Sequence, residues 1–449
     1  MSSADDMRTR IPDPEVSEYQ IAQWLFAASR QRSFQEFAPL LQEALALVRE
    51  NKGIQCAWNT LARLEVAWGF RKPSLGLYDN ALHFIGGAQK YGCTLAAALQ
   101  DLFEITMIAH ADISLQQLEK WYDLDLSRCR IKVIELPYFE NSKEHLGVYD
   151  AGRVDLKDDN PFHAVSRDSG FYDVFVNNCM LEMVYPLAPV SEFMVHFPER
   201  EISRFFHVDS YTHIMHNSLY TAYWIEKRWN LKPHVHIYPP VDMTVSSRPQ
   251  GKDDIILSVS RFELSGNKQQ REMVKAFIKL TQLHPELTRS WKLVLVGGSV
   301  AQNPYLQRLQ RLAEPHVNIQ IEVNIPASDL RNYYQRAKIF WHFSGLKQSD
   351  PAKIEHFGMT TAEAMQNGCV PIVFNGGGQK EIVVQGTSGL LFDTQEQLLE
   401  QTSGLLRDEK HLEELSSGAY TRGQDFTKEV FDRKVRDHFK EILKTYTFQ

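Results

Sequence analysis

Residues 355–368 read Glu355-His-Phe-Gly358-Met359-Thr360-Thr-Ala-Glu363-Ala-Met-Gln-Asn-Gly368. An acid comes first, Phe357-Gly358 tightens the chain, and a helical pattern follows, with Gly368 placed as its C-terminal cap. Apolar runs lie on both sides, Lys338-Ile-Phe-Trp-His-Phe343 before it and Val370-Pro-Ile-Val-Phe374 after it. Short runs of this kind read as buried strands, so the segment is a βαβ unit with a glycine turn at the head of its helix.

The head of that helix is suited to an anion. The N–H groups of Gly358, Met359, Thr360 and Thr361 point the same way, and the helix dipole adds about half a positive charge there. Were the whole span helical, Glu355 and Glu363 would stand roughly 12 Å apart along the axis and about 80° apart around it. One acid lies before the anion site and one beyond it, a layout that suits an extended ligand with a diphosphate in its middle, such as a sugar nucleotide. A surface helix with two solvated glutamates is the plainer reading of the helix by itself.

Glu355-x7-Glu363, with Phe357-Gly358 and Glu363-Ala-Met365 inside it and Gly368 after it, resembles the E-x7-E signature of retaining glycosyltransferases, and most of all glycosyltransferase family 4, whose members have the GT-B fold. The resemblance implies an α/β chain with two Rossmann-like doubly wound domains facing across a cleft. His356 departs from the pattern, since many members have Gly there, which leaves the donor open.

Composition sets the outer limits. A chain of 449 residues, 43% hydrophobic and 23% charged, is that of a globular protein with two or more domains. A net charge of -7 gives no reason to expect nucleic acid. Cys56, Cys93, Cys129, Cys179 and Cys369 are far apart and contain no C-x-x-C, so neither a zinc site nor a disulfide framework is predicted, and a cytoplasmic setting follows. The polar start predicts no secretory signal, and no apolar run is long enough to span a membrane; peripheral contact at the inner face of a membrane stays open.

Along the chain, Val16 to Trp68 has helical spacing (Ile21, Trp24, Leu25, Ala28) and is read as an N-terminal helical extension over residues 1–70, either an accessory domain or a cap on the next domain. A strand starting near Ser74 and running to Phe84, the turn Gly86-Gly87, a helix from Cys93 and a strand over Phe103–Ala109 open a doubly wound domain over residues 71–245. Asp123-Leu-Asp125 is a polar helix end rather than a metal motif. Residues 143–169 read as an irregular loop. Strands follow at Tyr172–Val176 and Glu192–Pro198, then a helix after Asn217-Ser218, then Tyr-Pro-Pro-Val241. A linker leads to a second domain over residues 250–426, opened by the strand Ile255–Val259. The last helix, over residues 427–449, crosses back to the first domain, as the family implies.

The resemblance also implies roles. Arg261 and Lys268 bind the donor diphosphate, where fixed cations would stabilise the departing charge without a metal. Ile325 holds the base through its backbone, Glu363 the ribose, and His196 faces the sugar; a histidine paired at the core edge is the alternative for His196. Gly86 and Gly87 match the glycine loop of the first domain. The expected function is metal-independent, retaining transfer from a UDP-, GDP- or ADP-sugar to a carbohydrate or lipid-linked acceptor, with no cofactor. Catalytic candidates are Glu355, His196, Arg261 and Lys268. A sugar-nucleotide epimerase of the same fold, or a non-catalytic sugar-nucleotide binder, would share most of these features.

Overall fold

The computed structural model describes residues 71–136, 139–141, 146–149, 160, 162–200, 205–243 and 245–448, with Ala62 and Val66. Apart from those two residues, the extension expected over 1–70 lies outside the described residues. The first part of the chain forms β1 (Ser74–Tyr78), α1 (Gly87–Leu99), β2 (Glu104–Ala109), α2 (Leu115–Tyr122), β3 (Arg130–Val133), the pair β4 (Phe139–Asn141) and β5 (Leu146–Tyr149), α3 (His163–Ser169), β6 (Val174–Asn177), β7 (Val190–Val195), β8 (His213–His216), α4 (Leu219–Trp229) and β9 (Val235–His236). The second part forms β10 (Asp253–Val259), α5 (Gln270–Leu283), β11 (Lys292–Gly297), α6 (Pro304–Ala313), β12 (Ile319–Val323), α7 (Ala327–Arg336), β13 (Ala337–His342), α8 (Met359–Gln366), β14 (Val370–Phe374), α9 (Gln379–Ile382) and β15 (Leu390–Phe392). It closes with α10 (Gln395–Arg407), α11 (Glu409–Gly423) and α12 (Lys428–Phe448).

The two large sheets have the orders β3-β2-β1-β6-β7-β8-β9 and β12-β11-β10-β13-β14-β15. In the second sheet every neighbouring pair is parallel. Each sheet winds outward from a central strand and then returns to wind the other way, reversing between β1 and β6 and between β10 and β13. Two Rossmann-like domains of this kind make up the GT-B fold. By compactness the chain divides into one unit of Met1–Met194, Glu201–Ile214 and Val435–Gln449 and a second of Val195–Arg200 and Met215–Lys434.

The second sheet is apolar on both faces, as a parallel sheet covered by helices must be. Along β10, Ile256 packs into the core with Phe277, Leu280 and Trp341, while Ile255, Leu257 and Val259 face the opposite core with Phe340 and Tyr334. The alternation fixes which face of the sheet each residue takes.

Three sequence expectations change. β1 ends at Tyr78 because Asp79 turns the chain, its Oδ1 accepting the Ala81 N–H at 2.9 Å. α1 accordingly starts at Gly87, six residues before Cys93. The stretch 143–169 contains β5 and α3; a helix of seven residues is too short to show a period. Asp123 caps α2 in the left-handed conformation, as a polar helix end should. Cys93, Cys129, Cys179 and Cys369 are free thiols. Among the described residues no helix is long and apolar enough to cross a membrane.

Candidate functional site

The second unit gathers its polar residues where its sheet reverses, at the carboxyl ends of β10 and β13. After His342 the chain passes through a short 3-10 turn, Pro351–Lys353, before Glu355 and enters α8 only at Met359. Gly358 stops the helix from reaching back: it caps α8 with φ +115, a region that favours glycine, and a Cβ there would meet the Gln379 amide at 2.8 Å. Glu355 is therefore not on the helix, so the spacing reckoned for a continuous helix does not apply. Its backbone is instead wrapped by the glycines before α9. Gly377 has φ +62, and a Cβ there would meet Glu355 O at 2.0 Å. Gly378 N–H donates to the same carbonyl at 2.9 Å.

The Glu355 side chain is 18% exposed. Its Oε2 receives Lys268 Nζ at 2.9 Å and His342 Nε2 at 3.3 Å. Burial by itself would raise the carboxyl pKa, but the Lys268 ammonium, and then His342, outweigh it and hold the group well below the usual carboxylate range. Lys268 is raised in turn, chiefly by the Glu355 charge and against the effect of its own burial. Behind this pair, His342 Nδ1 lies 3.2 Å from Gln379 Nε2, and both side chains are buried.

At the head of α8 the first N–H groups, those of Met359 and Thr360, have no acceptor in the preceding turn of helix, as at any helix start. Thr361 and Ala362 N–H return to Gly358 O. Further along, Glu363 is only 9% exposed and accepts from the Tyr334 hydroxyl of α7. Half-buried Ile325 packs against the apolar cluster that also contains Tyr334. Arg261 follows β10 with a side chain 73% exposed, its guanidinium 3.4 Å from Glu263.

His196 follows β7, and its carbonyl accepts from Asn217 Nδ2 at 3.0 Å and Thr221 Oγ1 at 3.2 Å. The next residue, Phe197, stacks on His356 with ring centroids 4.0 Å apart and planes 7° apart. Burial pushes the His356 imidazole down to about 4, so it is neutral in this stack. Gly86 and Gly87 belong to the first unit, where Gly86 caps α1 and its N–H donates to the Tyr122 hydroxyl.

Among the described residues one group has the makeup to hold a metal: Glu192, His213 and His438, all in the first unit. Glu192 is fully buried, with His213 Nδ1 2.6 Å from Oε1 and His438 Nε2 3.1 Å from Oε2. Both oxygens thus hold an imidazole nitrogen at hydrogen-bond distance. Burial would raise the carboxyl pKa, but the two histidines outweigh it and lower it.

Sequence reasoning gave no role to His342, Gln379, Tyr334 or Glu381. Glu381 accepts the Leu219 and Tyr220 N–H groups at 2.8 and 2.7 Å, completing the head of α4. For His342 a signal existed, a polar residue ending an apolar strand at the edge where such sheets bind ligands.

Comparison with known proteins places this geometry. The family described as "Glycosyl transferases group 1" matches residues 243–422, which hold most of the cluster. An alpha-1,3/1,6-mannosyltransferase, ALG2 of Rhizomucor pusillus, is 28% identical over 208 residues, 39% of this chain and 45% of that protein. A human GDP-Man:Man(3)GlcNAc(2)-PP-Dol alpha-1,2-mannosyltransferase is 29% identical over 210 residues, 43% of this chain and 41% of its own. The similarity thus spans less than half the length of these relatives. Among solved structures, Anabaena Alr3699/HepE in complex with UDP aligns over 82% of this chain and all of its own with a TM-score of 0.62 and 16% identity. A glycosyltransferase from Rickettsia africae aligns over 83% and 99% with a TM-score of 0.61 and 16% identity. At that identity the likeness is one of fold.

Proposed function

We propose that this chain is a glycosyltransferase that moves a sugar from a nucleoside-diphosphate sugar to an acceptor, with retention at the anomeric carbon and without a metal ion. The observation that carries this reading is the Lys268–Glu355–His342 cluster beside the head of α8, at the reversal point of the second sheet. The diphosphate takes the N–H groups of Gly358, Met359 and Thr360, with Lys268 and Arg261 as cations. Departure of the nucleoside diphosphate builds charge on phosphate oxygens, and groups already aimed there lower the barrier. Glu355 stands beside the reacting sugar, where positive charge develops; Glu363 takes the ribose and the Ile325 backbone the base. His196 faces the sugar. The acceptor attacks from the face the diphosphate leaves, and the departing phosphate takes its proton, so no side-chain nucleophile is required.

The similarity to mannosyltransferases, one group named for GDP-Man and a dolichol-linked acceptor, makes GDP-mannose the first donor to try and a lipid-linked glycan the first acceptor. A cytoplasmic protein with peripheral membrane contact would reach such an acceptor. The test is a thermal-shift screen of UDP-, GDP- and ADP-sugars in EDTA, followed by transfer assays with the stabilising donor. Sugar transfer in excess EDTA supports the proposal. Turnover that needs added magnesium or manganese overturns its metal-free part. An altered sugar nucleotide formed from donor alone would mark an epimerase, and binding without turnover a non-catalytic protein.

A further inference from the structure

We propose that His342 is a positioning residue for this reaction, its Nε2–H holding the Glu355 carboxylate in place and ionised when Lys268 turns to the donor diphosphate. The inference rests on the reading of the cluster as a sugar-nucleotide site. Glu355 Oε2 takes Lys268 Nζ and His342 Nε2 together, at 2.9 and 3.3 Å. An incoming diphosphate carries more negative charge than one carboxylate and competes for the same ammonium. A largely buried carboxylate that loses its cation tends to take up a proton, which would remove the charge the reacting sugar needs. His342 cannot follow Lys268 away: it is 2% exposed, on a central strand, with its ring against Phe340.

The carboxylate sets the tautomer of the ring. An ionised Glu355 only accepts, so the ring proton sits on Nε2, 3.3 Å from Oε2, and Nδ1 is left to accept from the Gln379 amide, whose Nε2 lies 3.2 Å away. Gln379 is fully buried and directly follows the glycines that wrap the Glu355 backbone. One loop therefore fixes Glu355 twice, its main chain through Gly377 and Gly378 and its side chain through Gln379 and His342. The charged and titratable groups around the carboxylate are Lys268 from the turn before α5, His342 from β13, and His356 next in the chain; Glu263 and Arg261 act through Lys268.

The experiment compares His342→Leu, which cannot donate, with His342→Gln, whose amide can donate from near the Nε2 position. Donor affinity is measured by calorimetry and donor-saturated kcat across pH, with thermal melts to check folding. His342→Leu should keep donor affinity within about threefold and lose turnover by roughly ten- to a hundredfold. Its acid limb of kcat should move up by about one pH unit, because the N–H that favours the carboxylate is gone. His342→Gln should recover most of the turnover. A folded His342→Leu protein with wild-type kcat and an unmoved acid limb overturns the proposal, as does a His342→Gln protein no better than His342→Leu. Should His342→Leu fail to fold, ring nitrogen NMR of the wild type decides. A neutral ring protonated on Nε2 at pH 7 supports the proposal, and protonation on Nδ1 overturns it. A wild type that transfers no sugar from any donor refutes the enzymatic reading, while the ring spectrum still judges this hydrogen bond.

Discussion

The Tyr334 hydroxyl donates to Glu363 Oε2 at 2.7 Å, and this bond aims a carboxylate that the rest of the fold has nearly buried. Under the proposed function Glu363 binds donor in ground and transition state alike. Glu363→Ala should therefore weaken donor binding by roughly ten- to a hundredfold with little change in kcat. Tyr334→Phe should cost about 1–3 kcal/mol of stability, because it removes the hydrogen bond that Tyr334 gives to a nearly buried carboxylate. Donor-saturation kinetics and chemical denaturation check both; loss of turnover alone in Glu363→Ala would mean that the donor lies the other way along α8.

Glu355→Gln should act on turnover instead, lowering kcat by roughly a hundredfold or more while donor affinity stays near wild type. The same residue carries an acid signature. Its carboxyl is held well below the ordinary 4.5, so the stability it contributes is present above pH 4.5 and is lost as pH falls below that through the folded value. Below pH 4.5 the melting temperature of Glu355→Gln should fall less steeply than that of wild type. Parallel curves would show that the Lys268 pair does not outweigh burial.

His356 gives a second pH window. Burial lowers it from 6.5 to about 4, so the unfolded chain binds a proton that the folded chain refuses across that range. Stability from this group is therefore full above pH 6.5 and is lost between 6.5 and 4. His356→Phe keeps a ring to stack on Phe197 and removes the titration. Its melting temperature should drop less between pH 6.5 and 4.5 than that of wild type, and an equal drop would place the titration elsewhere.

Gly377→Ala tests the wrapping of Glu355. The new Cβ would meet Glu355 O at 2.0 Å and sit at φ +62. A loss of at least about 2 kcal/mol is expected, together with reduced turnover. Gly386→Ala is the control: its φ is +71 but nothing lies within 4 Å, so only the backbone strain of about 1 kcal/mol applies. Equal losses in the two variants would mean that contact with Glu355 is unimportant.

Much of the architecture was legible because its signals are local. The runs ending at Phe343 and Phe374 and the helix closed by Gly368 read directly from residue type and spacing, and β13, α8 and β14 stand within a few residues of them. The short α3 and the early end of β1 were not legible, because one depends on burial of a few side chains and the other on a single Asp79 turn.

By itself, then, the sequence determined the βαβ unit, the glycine-headed helix and the residue types that suit a diphosphate, since periodicity and backbone freedom act between near neighbours. Only the tertiary structure decided what each acid does. Lys268 reaches Glu355 across 87 positions and Gln379 reaches His342 across 37, because strand order brings the ends of β10 and β13 side by side. The left-handed turn at Gly358 takes Glu355 off the helix, and the packing of α7 turns Glu363 toward Tyr334. Such contacts follow from sheet order and close backbone approach, which no spacing within a single segment encodes.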